Sequence, residues 1–177
     1  TPDETPAENP NVENGLSLGE LESNEPKIGE TYTKEEIGSW NLRCVKTEDG
    51  NDPCQMYHLL TDADGAPIAE IVLFRLPGTG QAKAGATVVV PLETSLSDQL
   101  TIRIDDGQAK RYPFSFCNTV GCYARLGLTE QDVTSLKRGA EATLTIVPMV
   151  APDQKISLTM SLKGFTAGYE KTTVAQR

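Results

Sequence analysis

The chain has 177 residues, 38% hydrophobic and 6% aromatic, and its 25 acids against 16 bases give a formal net charge of −9. The charge is uneven: residues 1–36 hold ten acids and two bases (net −8), leaving 15 acids and 14 bases (net −1) for the rest. A near-neutral body without an RNP-type aromatic motif excludes a nucleic-acid binder, and no run approaches the roughly 18 apolar residues of a membrane-spanning helix.

The opening stretch, "TPDETPAENPNVENGLSLGELESNEPKIGE", is rich in Glu, Pro and Asn and nearly lacks bulky apolar side chains. Such a segment cannot bury enough surface to offset an ordering entropy of roughly 1–2 kcal/mol per residue. Residues 1–36 therefore read as a disordered acidic leader, with an acidic interaction arm as the functional alternative. The chain opens on Thr and shows no basic-plus-apolar signal segment, so a mature export product with its signal removed is expected.

From Ser39 onward the dominant period is two. "WNLRCVK" (40–46) and "CQMYHLL" (54–60) alternate around "TEDGNDP", where Asp49-Gly50 predicts a hairpin loop. Strands are predicted over 67–76, 85–93, 100–105, 110–116, 122–128, 141–148 and 155–162, with Asp-Gly turns at Asp64-Gly65 and Asp106-Gly107. Pro113 inside the 110–116 run implies an edge or a bulge, because proline cannot donate to a ladder. One segment reads helical, near 130–138: Thr129 caps it with Asp132 three residues on, Val133 and Leu136 form its apolar stripe, and Gly139 ends it. The expectation is an all-β fold, an antiparallel β-sandwich or barrel-like sheet of about nine strands, over a domain of residues 37–170 with a C-terminal tail at 171–177.

The four cysteines form two sequence pairs, Cys44 with Cys54 and Cys117 with Cys122. The first pair lies on opposite arms of the predicted hairpin, within disulfide range. Two local disulfides are the leading reading, and they imply an oxidising compartment. A four-thiolate zinc site is the competitor, but only the second spacing falls inside the usual C-x2–4-C range. Neither pair has the C-x-x-C spacing of a redox motif.

His58 is the only histidine, so any histidine-based catalysis must pass through it. Alternation places it on one face with Met56 and Leu60, where a packed histidine is the ordinary reading. The acid pairs Asp105-Asp106 and Glu35-Glu36 fall in a turn and in the leader. "GTGQAKAG" (78–85) is glycine-rich but lacks the GK[ST] of a phosphate loop. No catalytic residue, metal site or cofactor is assigned. Arg111, Tyr112, Asn118, Tyr123 and Arg125 gather around the second cysteine pair, and Arg with Tyr on a stapled loop suits a contact surface.

Taken together, "GSWNLRC", "PCQMYHLLTD", "AEIVLFRLP", "ATVVVPLETSL", "RYPFSFCNTVGCYARLGLT", "LKRGAEATLTIVP" and "ISLTMSLKGFTAGYE" resemble the invasion-associated locus B family of alphaproteobacteria. The resemblance runs from about Tyr32 to Tyr169. It implies an exported, all-β protein of the periplasm or cell envelope, or a secreted one, and in pathogenic members a role in host-cell entry. The functional expectation is a disulfide-stapled, non-enzymatic binding or envelope-interaction module supporting adhesion or invasion. Its partner would be an envelope or host-surface protein or a glycan. The alternative is an envelope hydrolase acting on peptidoglycan or glycans through His58.

Overall fold

Alternation along Trp40–Val45 puts Trp40, Leu42 and Cys44 on one face, none more than 3% exposed, and the same rule shapes most of the chain. The computed structural model describes residues 12–19 and 22–175. Strands β1 (Val12–Glu13) and β2 (Leu16–Ser17) form a small separate hairpin. The body contains β3 (Thr31–Ile37), β4 (Trp40–Val45), β5 (Cys54–Thr61), β6 (Pro67–Arg75), β7 (Ala82–Val90), β8 (Leu100–Ile104), β9 (Lys110–Tyr112), β10 (Phe114–Cys117) and β11 (Cys122–Thr129). Helix α1 (Glu130–Arg138), β12 (Glu141–Ile146), β13 (Ile156–Ser161) and α2 (Phe165–Lys171) complete it.

Among the described residues one antiparallel sheet of eleven strands carries the fold, in the order β10-β11-β7-β6-β5-β13-β12-β8-β9 with β4 and then β3 added at β5. The edge of β5 is shared: Cys54–Tyr57 pairs with β4, and Thr61 with Thr159 of β13. The two ends of the order, β9 and β10, are consecutive in sequence and separated by Pro113 alone. Pro113 ends the ladder with β8 at Tyr112, and the chain then joins β11 at Phe114. The single strand expected over 110–116 is thus two strands on different neighbours, and the sheet bends into a nearly closed barrel. This is the all-β, barrel-like architecture of about nine principal strands that the alternation predicts.

The barrel interior is filled by inward residues such as Leu60, Leu73, Val88, Leu100, Leu144 and Leu158, each fully buried. One end is plugged by Trp40, whose ring meets Phe165 edge-on at 5.5 Å and whose indole N–H donates to the Ser161 carbonyl at 3.0 Å. Phe165 stacks on Tyr169 one helical turn later. Gly38 and Gly164 adopt φ of 61° and 84° where the β3–β4 turn crosses the turn before α2; a Cβ on either would overlap the other turn's backbone.

Helix α1 forms where expected, with the Thr129–Asp132 capping box complete and Val133 and Leu136 buried. Helix α2 was not expected. Gly164 gives it no side-chain cap and Gly168 interrupts it, so capping and propensity signals are absent. It forms because Phe165 and Tyr169 reach the core and Gly168 leaves room for the Met56 methyl.

Both domain limits shift. Thr31–Glu36, six residues of the span read as leader, belong to β3, held by its ladder to β4 and by Lys171 Nζ, 2.8 Å from the Glu35 carboxylate. Of the expected tail at 171–177, Lys171 belongs to α2 and Thr172 is buried. Thr173 exchanges hydrogen bonds with the Cys54 backbone, and Val174 bridges Arg75. The leader reading for 1–11, 20 and 21, and the tail reading for 176–177, lie outside the described residues.

Candidate functional site

The cysteines sit where the ladders place them. Cys44 faces Cys54 across β4–β5, and Cys117 faces Cys122 across β10–β11. Both pairs are disulfides, and the described residues contain no free cysteine. The first is buried, with Cys44 and Cys54 0% and 5% exposed. The second closes a surface turn with Cys117 on the solvent side and Cys122 in the core cluster. Asn118 shapes that turn: its Oδ1 accepts from the Val120 and Gly121 N–H groups at 2.8 and 3.3 Å.

The five residues gathered by sequence fall into four settings. Tyr123 and Arg125 point outward from β11, and Tyr123 stacks on Phe116 with ring centroids 4.6 Å apart. Tyr112 is half-buried and turned inward at β9, where burial pushes its phenol up and Asp132 adds to the shift. Asn118 is occupied within its turn. Arg111 points outward onto the face of β8, β12 and β13. Phe116 escapes simple alternation, which puts it on the face of Phe114; a bulge sets Phe114 opposite Ala124 but Phe116 opposite Tyr123.

The outer face beside Arg111 is ordered by register. Arg111, Thr101, Thr145 and Ser157 stand directly opposite one another across β9, β8, β12 and β13. A second row, Arg103, Thr143 and Thr159, runs alongside it. Apart from Thr159, these rows line, with Lys155, a groove of about 650 Å³ that is open to solvent and also lined by Asp98, Asp105 and Asp106. Asp98 accepts from the Ser95 hydroxyl, and Asp105 accepts from the Ala140 and Glu141 N–H groups. Among the described residues neither Arg103 nor Arg111 has an ion-pair partner. The face offers guanidinium and hydroxyl donors to an oxygen-bearing partner. Arg103 and the threonines were not singled out from the sequence; their signal is the period-two spacing of 101/103, 143/145 and 157/159.

His58 lies on the inner side of β5, its ring edge-on to Trp40 at 4.9 Å and its Nδ1 2.7 Å from the Leu59 carbonyl. Burial lowers its pKa below the ordinary value. No cluster of three or more His, Cys, Asp or Glu side chains suited to a metal ion occurs among the described residues, and no helix there is long and apolar enough to cross a membrane.

These features define a disulfide-stapled, nearly closed antiparallel barrel with a polar, arginine-edged outer face. The chain belongs to the Invasion associated locus B (IalB) protein family, whose model matches residues 40–173. It is 24% identical over 143 residues to Invasion protein B homologs of Brucella abortus strain 2308 and Brucella abortus biovar 1 strain 9-941, covering 81% of this chain and 80% of each relative. The crystal structure of invasion associated protein B from Bartonella henselae shares the fold, with a TM-score of 0.61 at 20% identity over 75% of this chain and 89% of that one.

Proposed function

We propose that this chain is an exported, non-enzymatic contact module of the bacterial envelope, supporting attachment to or invasion of host cells through its polar outer face. The observation that carries this reading is the double row of Arg111, Thr101, Thr145, Ser157 and Arg103, Thr143, Thr159. Four strands hold the backbones of these donors in fixed register, so no loop has to be ordered on contact. The partner is an oxygen-rich surface, a host-surface or envelope protein or a glycan. Two disulfides support an oxidising location in the periplasm or outside the cell. The Phe116–Tyr123 stack beside Arg125 supplies a second contact point of the aromatic-plus-arginine type that dominates interfaces.

The test is affinity capture from envelope extracts and host-cell surfaces, comparing the wild-type chain with an Arg103→Ala, Arg111→Ala double variant. Loss of the captured partner with an unchanged melting temperature supports the reading. A partner retained in full sinks it.

A further inference from the structure

Beside Arg111 the groove runs across the face of the sheet from β9 to β13, about 14 Å at the usual strand spacing. Its floor is open surface: Arg103, Arg111, Lys155 and Ser157 are exposed, and Thr101, Thr143 and Thr145 are half-buried. Strands β8 and β12 are paired on both sides, so their backbone groups are spent in ladders and the floor offers side chains only.

What the floor lacks narrows its occupant. An added strand, an apolar helix face or a polyproline segment would need a free backbone edge, an apolar trough or aromatic rings. Among the described residues no aromatic side chain lines the groove, so stacked bases and the flat face of a neutral sugar find no platform.

What it supplies is two kinds of polar group. Arg103, Arg111 and Lys155 have no ion-pair partner among the described residues, and arginine is matched to carboxylate geometry. The Thr101, Thr145 and Ser157 hydroxyls both donate and accept, as does the amide of Gln99, whose backbone is held in the left-handed region at φ 59°. A chain of acidic sugars carries carboxylates and hydroxyls along its whole length, whereas an acidic peptide would leave the hydroxyl rows unused. The cations are not in excess. Asp98 precedes β8, and Asp105 and Asp106 follow it, so the lining is near neutral and repels a densely charged chain.

Resting on the reading of this face as the contact surface, we propose that its ligand is an acidic polysaccharide of low charge density, carboxylated on alternate sugars and unsulfated. Its carboxylates pair with Arg103 and Arg111, and its hydroxyls bond to the row of Thr101, Thr145 and Ser157.

Calorimetric titration with a hyaluronan octasaccharide tests the proposal, against alginate and heparin octasaccharides and a polyglutamate peptide. Saturable binding of hyaluronan is expected, with the other three weaker. Arg103→Ala and Arg111→Ala each weaken it about fivefold, as for exposed charge contacts. Thr145→Val keeps the side-chain shape, removes one hydroxyl and weakens binding about threefold. Melting temperatures of all three variants stay at the wild-type value. Absence of saturable binding, tighter binding of heparin, alginate or polyglutamate, or a Thr145→Val variant that binds like wild type overturns the proposal. The broader reading fails or stands separately: a partner captured by the wild-type chain and lost in the Arg103→Ala, Arg111→Ala double variant, without hyaluronan binding, keeps the contact face and removes the acidic glycan.

Discussion

Lys110 Nζ lies 2.9 Å from Asp132 Oδ2, and through this pair the free edge strand β9 is tied to α1 across the open side of the barrel. Asp132 has a second task, since its Oδ2 also accepts the Thr129 N–H at 2.9 Å and completes the capping box. The two partners should therefore not be equivalent. Lys110→Ala removes a partly exposed pair and should cost about 0.2–1 kcal/mol. Asp132→Ala also breaks the cap and should cost about 1–2 kcal/mol. Urea unfolding of both single variants and the double variant checks the order.

The disulfides should differ in the same way. In the chain-entropy estimate, loops of this length contribute about 2–3 kcal/mol each. Replacing Cys44 and Cys54 by Ser should cost more than replacing Cys117 and Cys122, because the first pair is buried and two hydroxyls would replace it. Melting temperatures in oxidising buffer read the difference. Non-reducing tryptic mapping of the wild-type chain should release "YPFSFCNTVGCYAR" with its internal bond intact and "CVK" joined to the Cys54 peptide.

His58 should set a mild acid limit. Burial lowers its pKa in the folded chain from an ordinary value of 6.5, so the unfolded chain binds a proton that the folded chain resists. Stability should be full above that ordinary value and fall as pH drops from it toward the lowered one. In His58→Phe this slope should vanish in pH-dependent unfolding curves. His58→Ala should leave the partner-contact activity intact once folding is verified, whereas a hydrolase working through His58 would lose its activity.

A second acid window belongs to the carboxylates. The Tyr32 hydroxyl, then the Thr47 N–H and hydroxyl, and lastly Lys46 hold Asp52 well below the usual range. For Asp132, burial raises the pKa, but Lys110 and the Thr129 donors outweigh it and leave it lowered. Both groups contribute stability above the ordinary 3.8 that is lost as pH falls through their lowered values. Asp52→Asn should reduce the steepness of acid unfolding below that point, read by circular dichroism.

Gly164→Ala should destabilise by more than about 1–2 kcal/mol, the cost of a left-handed backbone alone, because the new methyl also meets the backbone of Ile37. Gly65→Ala keeps the backbone cost without the overlap, since open space surrounds that turn. Thermal unfolding of the pair separates the two contributions.

Most strands were legible from period-two alternation because one face of each is buried and the other wetted, as in Trp40–Val45 and Cys122–Thr129. Helix α1 was legible because Thr129, Asp132 and Gly139 are local signals. Helix α2 was not, because its stability comes from Trp40 and Met56, contributed by strands more than a hundred residues upstream. Strand β3 was hidden for a related reason. "TYTKEEI" looks like leader composition, and the ladder to β4 supplies what its side chains lack.

The candidate surface divides along the same line. Residue types and spacing sufficed for the all-β class and for the two cysteine pairs with their short loops. Alternation, covalent reach and turn chemistry all act within a few residues. Pairings between distant strands set which of those side chains share a face. Pro113 sends β9 and β10 to different neighbours, the bulge turns Phe116 outward, and the register of β8, β12 and β13 aligns Arg111 with Thr101, Thr145 and Ser157. Those partners lie up to several dozen residues apart, and their alignment follows from backbone hydrogen bonds and shared burial, which no local pattern encodes.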